Sequence, residues 1–86
     1  MTMEIASLDI PKLIDYLAQQ FRAAPPEGTV VGRTALRDAV AADRGCSQLE
    51  AEEIVDSLEL LGWLRLVRIP DGPEVWRIGP APVEAR

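Results

Sequence analysis

The run Ser47-Gln-Leu-Glu-Ala-Glu-Glu-Ile-Val-Asp-Ser-Leu-Glu-Leu-Leu-Gly-Trp-Leu64 decides how this chain folds. It opens on a capping box: the Ser47 hydroxyl accepts from the Glu50 N–H, and the Glu50 carboxylate accepts from the Ser47 N–H. Ala51, Ile54, Val55, Leu58 and Leu61 then recur on one helical face. Gly62 stops the winding, and the residues beyond it alternate as a strand does. The spacing predicts a helix over 47–61 that passes directly into a strand.

Upstream, Gly45 closes a second helix predicted over 33–44, with Leu36, Ala39 and Val40 on its apolar side. Between Gly28 and Gly32, the β-branched Thr29-Val30-Val31 reads as a brief strand or an extended link. A first helix is predicted over 10–24, where Ile10, Leu13, Ile14, Leu17 and Phe21 form one stripe. Asp9 caps its start, Pro11 sits in the first turn, and Pro25-Pro26 ends it. Tyr16 lies off the stripe, on the exposed side. Leu13, Leu17, Leu36, Val40, Ile54, Leu58 and Leu61 form the predicted core.

Downstream, residues 63–69 and 74–78 are strand-like, and Pro70-Asp71-Gly72-Pro73 between them carries turn chemistry. Counting across a four-residue loop pairs Ile69 with Glu74, Arg68 with Val75 and Leu66 with Arg77. Arg68 and Arg77 then share one face, and Arg65 takes the other. Trp63 and Trp76 are expected to pack on the helices. Residues 80–86, rich in Pro and Ala, read as a loose tail.

Three segments carry a family likeness: Leu36-Arg-Asp-Ala-Val40, the turn Arg44-Gly45-Cys46-Ser47, and Ile54-Val-Asp-Ser-Leu-Glu-Leu-Leu-Gly-Trp-Leu64. In the order helix, short strand, helix, tight turn, helix, hairpin, they resemble the winged-helix family, a variant of helix-turn-helix. The resemblance spans residues 8–79. It implies a mainly α fold with a small β-hairpin: a three-helix winged helix-turn-helix with a C-terminal wing, as one domain over 1–86. It also implies duplex DNA binding, with helix three in the major groove and the wing on the backbone or minor groove.

The residue types present narrow the chemistry. With 86 residues, 48% of them apolar, the chain can build one small core. It has no His and a single Cys, Cys46. That excludes Ser-His-Asp and Cys-His catalysis, His-based zinc sites and a disulfide within the chain. Gly28 and Gly32 belong to neither a GK[ST] nor a GxGxxG pattern. No catalytic residue, metal site or cofactor is expected, and the chain reads as non-enzymatic. Cys46, in the turn, is expected to be buried and unreactive. The sequence has no signal peptide and no 18-residue apolar run, so the cytoplasm is the default location and no membrane partner is expected.

Charge is unevenly placed. Nine Lys+Arg against fourteen Asp+Glu leave −5, and residues 45–61 carry all of it, with five carboxylates and no cation. A groove-reading helix presents cations or amides to base edges flanked by phosphate. Here the outward positions are Gln48, Leu49, Glu52, Glu53 and Asp56, of which Gln48 alone suits, and carboxylates forfeit the counterion release that drives such binding. A DNA-binding regulator, the alternative, would rely on Gln48 and the wing arginines Arg65, Arg68 and Arg77, or on a dimer.

The same helix face fits a protein better. Leu49, Glu53, Asp56 and Leu60 follow the i, i+4, i+7, i+11 spacing of a helix-pairing seam. The expected partner site is Leu49, Glu52, Glu53, Asp56 and Leu60, in a chain acting as an adaptor, regulator or inhibitor. A DNA-mimicking inhibitor is one form of this; a homodimer and, as a third reading, an isolated domain of a larger enzyme assembly stay open.

Overall fold

In the computed structural model, which describes residues 9–79, three helices precede a two-stranded antiparallel hairpin. They are α1 (Ile10–Gln20), α2 (Arg33–Arg44), α3 (Gln48–Leu60), β1 (Leu64–Arg68) and β2 (Glu74–Ile78). The predicted tail over 80–86 and Leu8 lie outside the described residues. Within them, no helix is long and apolar enough to cross a membrane.

α1 starts where the sequence places it. The Asp9 side chain accepts from the Lys12 N–H at 3.2 Å, and Leu13, Ile14 and Leu17 are buried. The helix ends at Gln20, four residues before the expected Ala24. In a continuing helix the Pro25 ring would collide with the Phe21 carbonyl, so winding stops a full turn ahead of the proline. Tyr16, expected on the exposed side, is half-buried against the core.

The segment 29–31 is a second correction. The short strand of the expected order is a single bridge, Glu27 to Val75, with the Trp76 N–H donating to the Pro26 carbonyl at 2.9 Å. Thr29-Val30-Val31 instead belongs to a π-helical turn, Gly28–Gly32, that runs unbroken into α2. The cause is Trp76. Its Nε1–H donates to the Gly28 carbonyl at 2.9 Å, and Gly32 lies against the indole. Seating the chain on this ring overrides the extended preference of two valines and a threonine.

α2 and α3 meet through a short turn. Gly45 adopts φ 65° and donates its N–H to the Ala41 carbonyl at 2.8 Å. The capping box forms: Glu50 N–H to Ser47 Oγ is 3.1 Å, and Ser47 N–H to Glu50 Oε1 is 3.2 Å. Ser47→Ala is expected to lower stability by about 1 kcal/mol, read from the urea midpoint.

At the other end of α3, the Trp63 N–H returns to the Leu58 carbonyl at 2.9 Å and the Gly62 N–H to Glu59 at 3.1 Å. This two-bond closure needs the left-handed conformation that Gly62 supplies at φ 90°. Leu61, assigned to the core from sequence, is 58% exposed. The helix is already over at Leu60, and Leu64, past the reversal at Gly62, is the buried leucine there.

The hairpin is shifted by one residue from the expected pairing. Leu64 pairs with Ile78, Arg65 with Arg77, Leu66 with Trp76, Val67 with Val75 and Arg68 with Glu74. This register puts Leu64, Leu66, Trp76 and Ile78 on one face, all four packed on the helices, and that apolar set fixes it. The connection is 69–73, closed by the Gly72 N–H on the Ile69 carbonyl at 2.9 Å, with Asp71 at φ 59°. Leu13, Ile14 and Leu17 meet Leu36 and Val40 of α2, Ala51, Ile54, Val55 and Leu58 of α3, and Leu64 and Trp76 of the hairpin in one core.

Candidate functional site

The acidic residues of α3 divide into two groups once α2 is packed beside it. Glu52, Asp56 and Glu59 recur at i, i+4, i+7 on the flank toward α2, which answers with Arg33 and Arg37, one turn apart. Arg33 Nη1 donates to Glu59 Oε1 at 2.7 Å, and its Nη2 donates to Asp56 Oδ1. Arg37 Nη1 lies 3.8 Å from Glu52 Oε2, while its Nε and Nη2 donate to Asp38 Oδ1 at 3.2 and 3.1 Å. The hydrogen bond to Glu59 foremost, with help from Asp56, raises the Arg33 pKa above its ordinary value against the opposing effect of burial. The same guanidinium stands 5.8 Å from the centre of the Trp76 ring. One arginine thus joins α2, α3 and the hairpin.

Beyond that flank runs a second line. Leu49 is 68% exposed, Leu60 is 88% exposed, and Glu53 between them forms no ion pair among the described residues. Of the five residues expected at a partner site, Leu49, Glu53 and Leu60 occupy this free line. Glu52 and Asp56 are tied to α2. The pairing with α2 was missed from sequence, although its signal was present: the i, i+4 spacing of Arg33 and Arg37 complements the acidic series. Val30 and Val31, exposed on the π-helical turn that leads into Arg33, were missed as well.

The expected DNA-contacting residues scatter. Gln48 is exposed at the first turn of α3. Arg65 and Arg77 stand opposite each other in the ladder, so these two share a face. Arg68, expected beside Arg77, is on the other face and ion-paired to Glu74 at 3.0 Å. Glu74 in turn accepts from the Thr29 hydroxyl at 3.1 Å. The trio of hairpin arginines is therefore a pair and a neutralised third.

Cys46 is half-buried against the core. Desolvation, and then the nearby charge of Glu50, push its thiol pKa up, so the thiol stays protonated near neutral pH. Iodoacetamide at about pH 7.5 should alkylate it more slowly than free cysteine, and an equal or faster rate would contradict this environment.

Among the described residues no charged side chain is buried, and no three His, Cys, Asp or Glu converge as metal ligands. The surface holds open depressions, one beside Asp56, Glu59 and Leu60, another under the hairpin loop between Arg68 and Glu74. Comparison with family models, curated proteins and solved structures finds no match to this chain.

Proposed function

We propose that the chain is a non-enzymatic, winged-helix-like interaction module that docks on a protein partner through the outer face of α3. The observation that carries this reading is the exposure of Leu49 and Leu60 on one line of α3. They stand about 16 Å apart along the helix axis, with Glu53 between them. Fully burying a leucine contributes about 1.5–3 kcal/mol, so a partner covering both gains a substantial share of its affinity from two side chains. The order α2, tight turn, α3 and hairpin, with the Glu27–Val75 bridge in place of the short strand, supports the winged-helix assignment.

Phosphate is the wrong partner for this face. Arg33 and Arg37 are already engaged by α3 carboxylates, and Glu53 adds a further negative charge to the outer line. Generic duplex DNA at physiological salt is therefore expected to bind more weakly than the usual non-specific range of about 10⁻⁴–10⁻⁶ M. A salt titration with labelled duplex tests this. Tight binding that weakens steeply with salt, and disappears in an Arg65→Ala, Arg77→Ala double variant, would overturn the reading in favour of DNA.

A further inference from the structure

Among the charges that the intramolecular ion pairs leave without a partner are Arg65 and Arg77 on the hairpin and Glu53 on α3. On the hairpin, Arg65 and Arg77 are directly opposed, so their side chains leave the same face with Cβ atoms about 5 Å apart. Like charges so placed repel. Neither arginine forms an ion pair among the described residues, and Arg65 Nε is buried without a hydrogen-bond partner. On α3, Glu53 stands on the outer line and Asp56, three residues on, at the edge of the flank toward α2, a separation of about 5–6 Å between Cβ atoms. Glu53 has no ion pair there, and Asp56 meets Arg33 through Oδ1 alone.

The two pairs match in spacing and oppose in sign, and within one molecule no ion pair joins one to the other, Asp56 being shared with Arg33. Symmetric pairing of two α3 helices does not use them. An antiparallel arrangement that brings Leu49 against Leu60 of a second copy also sets Glu53 against Asp56, acid on acid. A hairpin laid on α3 brings opposite charges together and leaves the two leucines to close over its flanks.

We infer that the partner of the α3 outer face is a second copy of this chain, docked head to tail, with the Arg65–Arg77 face of one hairpin on the Glu53–Asp56 seam of the next. The inference rests on the protein-docking reading of α3 above. Such a contact is heterologous, so it extends into a chain or closes into a ring according to the rotation between copies.

Sedimentation velocity on the full chain tests it. In about 20 mM salt, where screening is weak, the weight-average mass should rise with concentration; in about 500 mM salt it should return to that of the monomer. Glu53→Arg or Arg77→Glu, both at exposed positions, should each reduce self-association about tenfold or more through like-charge contact.

An equimolar mixture of the two variants is the sharper arm. The Glu53→Arg chain keeps an intact hairpin and the Arg77→Glu chain an intact α3, so the mixture should recover the association that each variant alone has lost. Pairing of two α3 faces leaves Arg77 outside the contact, so Arg77→Glu alone would still associate; that result, or the absence of rescue in the mixture, would overturn the inference. So would a monomer at every concentration up to about 1 mM in low salt. That monomer, with Leu60→Ala as stable as the wild type, would remove the second copy as partner and leave the docking face in place. Loss of folding in Leu60→Ala would remove both.

Discussion

Gly32→Ala is expected to destabilise the fold by about 3 kcal/mol, although alanine suits the backbone there. Gly32 sits at φ −65°, ψ −42°, and by helix propensity alone the change would stabilise by up to about 1 kcal/mol. Space decides the sign. A Cβ at Gly32 would lie 2.6 Å from Trp76 Cδ1, 2.7 Å from Trp76 Nε1 and 2.9 Å from the Glu27 carbonyl oxygen. The ring cannot retreat, because it is buried in the core and anchored to the Gly28 carbonyl. Neither can Glu27, whose backbone bridges Val75. Urea denaturation reads the loss directly, and a neutral or stabilised Gly32→Ala would mean that the π-helical turn does not rest on the indole.

Trp76→Ala should cost more, about 3–5 kcal/mol for the emptied ring site. It also leaves the Gly28 carbonyl without its donor and removes the ring beside Arg33. A domain of this length has only about 4–13 kcal/mol in total, so the variant is expected to lose most of its cooperative thermal transition. Trp76→Phe keeps an aromatic ring and drops the N–H, and should cost about 1 kcal/mol for the hydrogen bond plus a partial cavity. Because Phe makes room at the turn, Gly32→Ala and Trp76→Phe together should cost less than the sum of the two. Strict additivity would contradict the contact between them.

Helix identities were legible because each carries its own local chemistry. Asp9 with Lys12, Ser47 with Glu50, and Gly45 and Gly62 mark ends through hydrogen bonds to neighbours in sequence, and the structure contains these bonds. Where an outcome depended on a distant residue, the sequence misled. Thr29-Val30-Val31 has strand propensity, but Trp76, more than forty residues away, draws it into a helical turn. Hairpin register followed from counting loop residues, whereas the apolar pairing of Leu66 with Trp76 sets it, and one residue of slip moved Arg68 to the opposite face.

The candidate site divides in the same way. Helical periodicity alone places Leu49 and Leu60 outward, and both are exposed. Asp56 and Glu59, beyond the reach of the helix dipole at the α3 N-terminus, had no local explanation in sequence. Arg33 supplies it from α2, across a contact that only the packed structure defines.

The docking face itself is tested most directly by the unfolding free energies of Leu49→Ala and Leu60→Ala, measured by urea denaturation beside the wild type. Both leucines stand in solvent, so each variant should remain within about 0.5 kcal/mol of the parent. A loss of about 2–5 kcal/mol in both would make them core residues and would contradict a free outer face on α3.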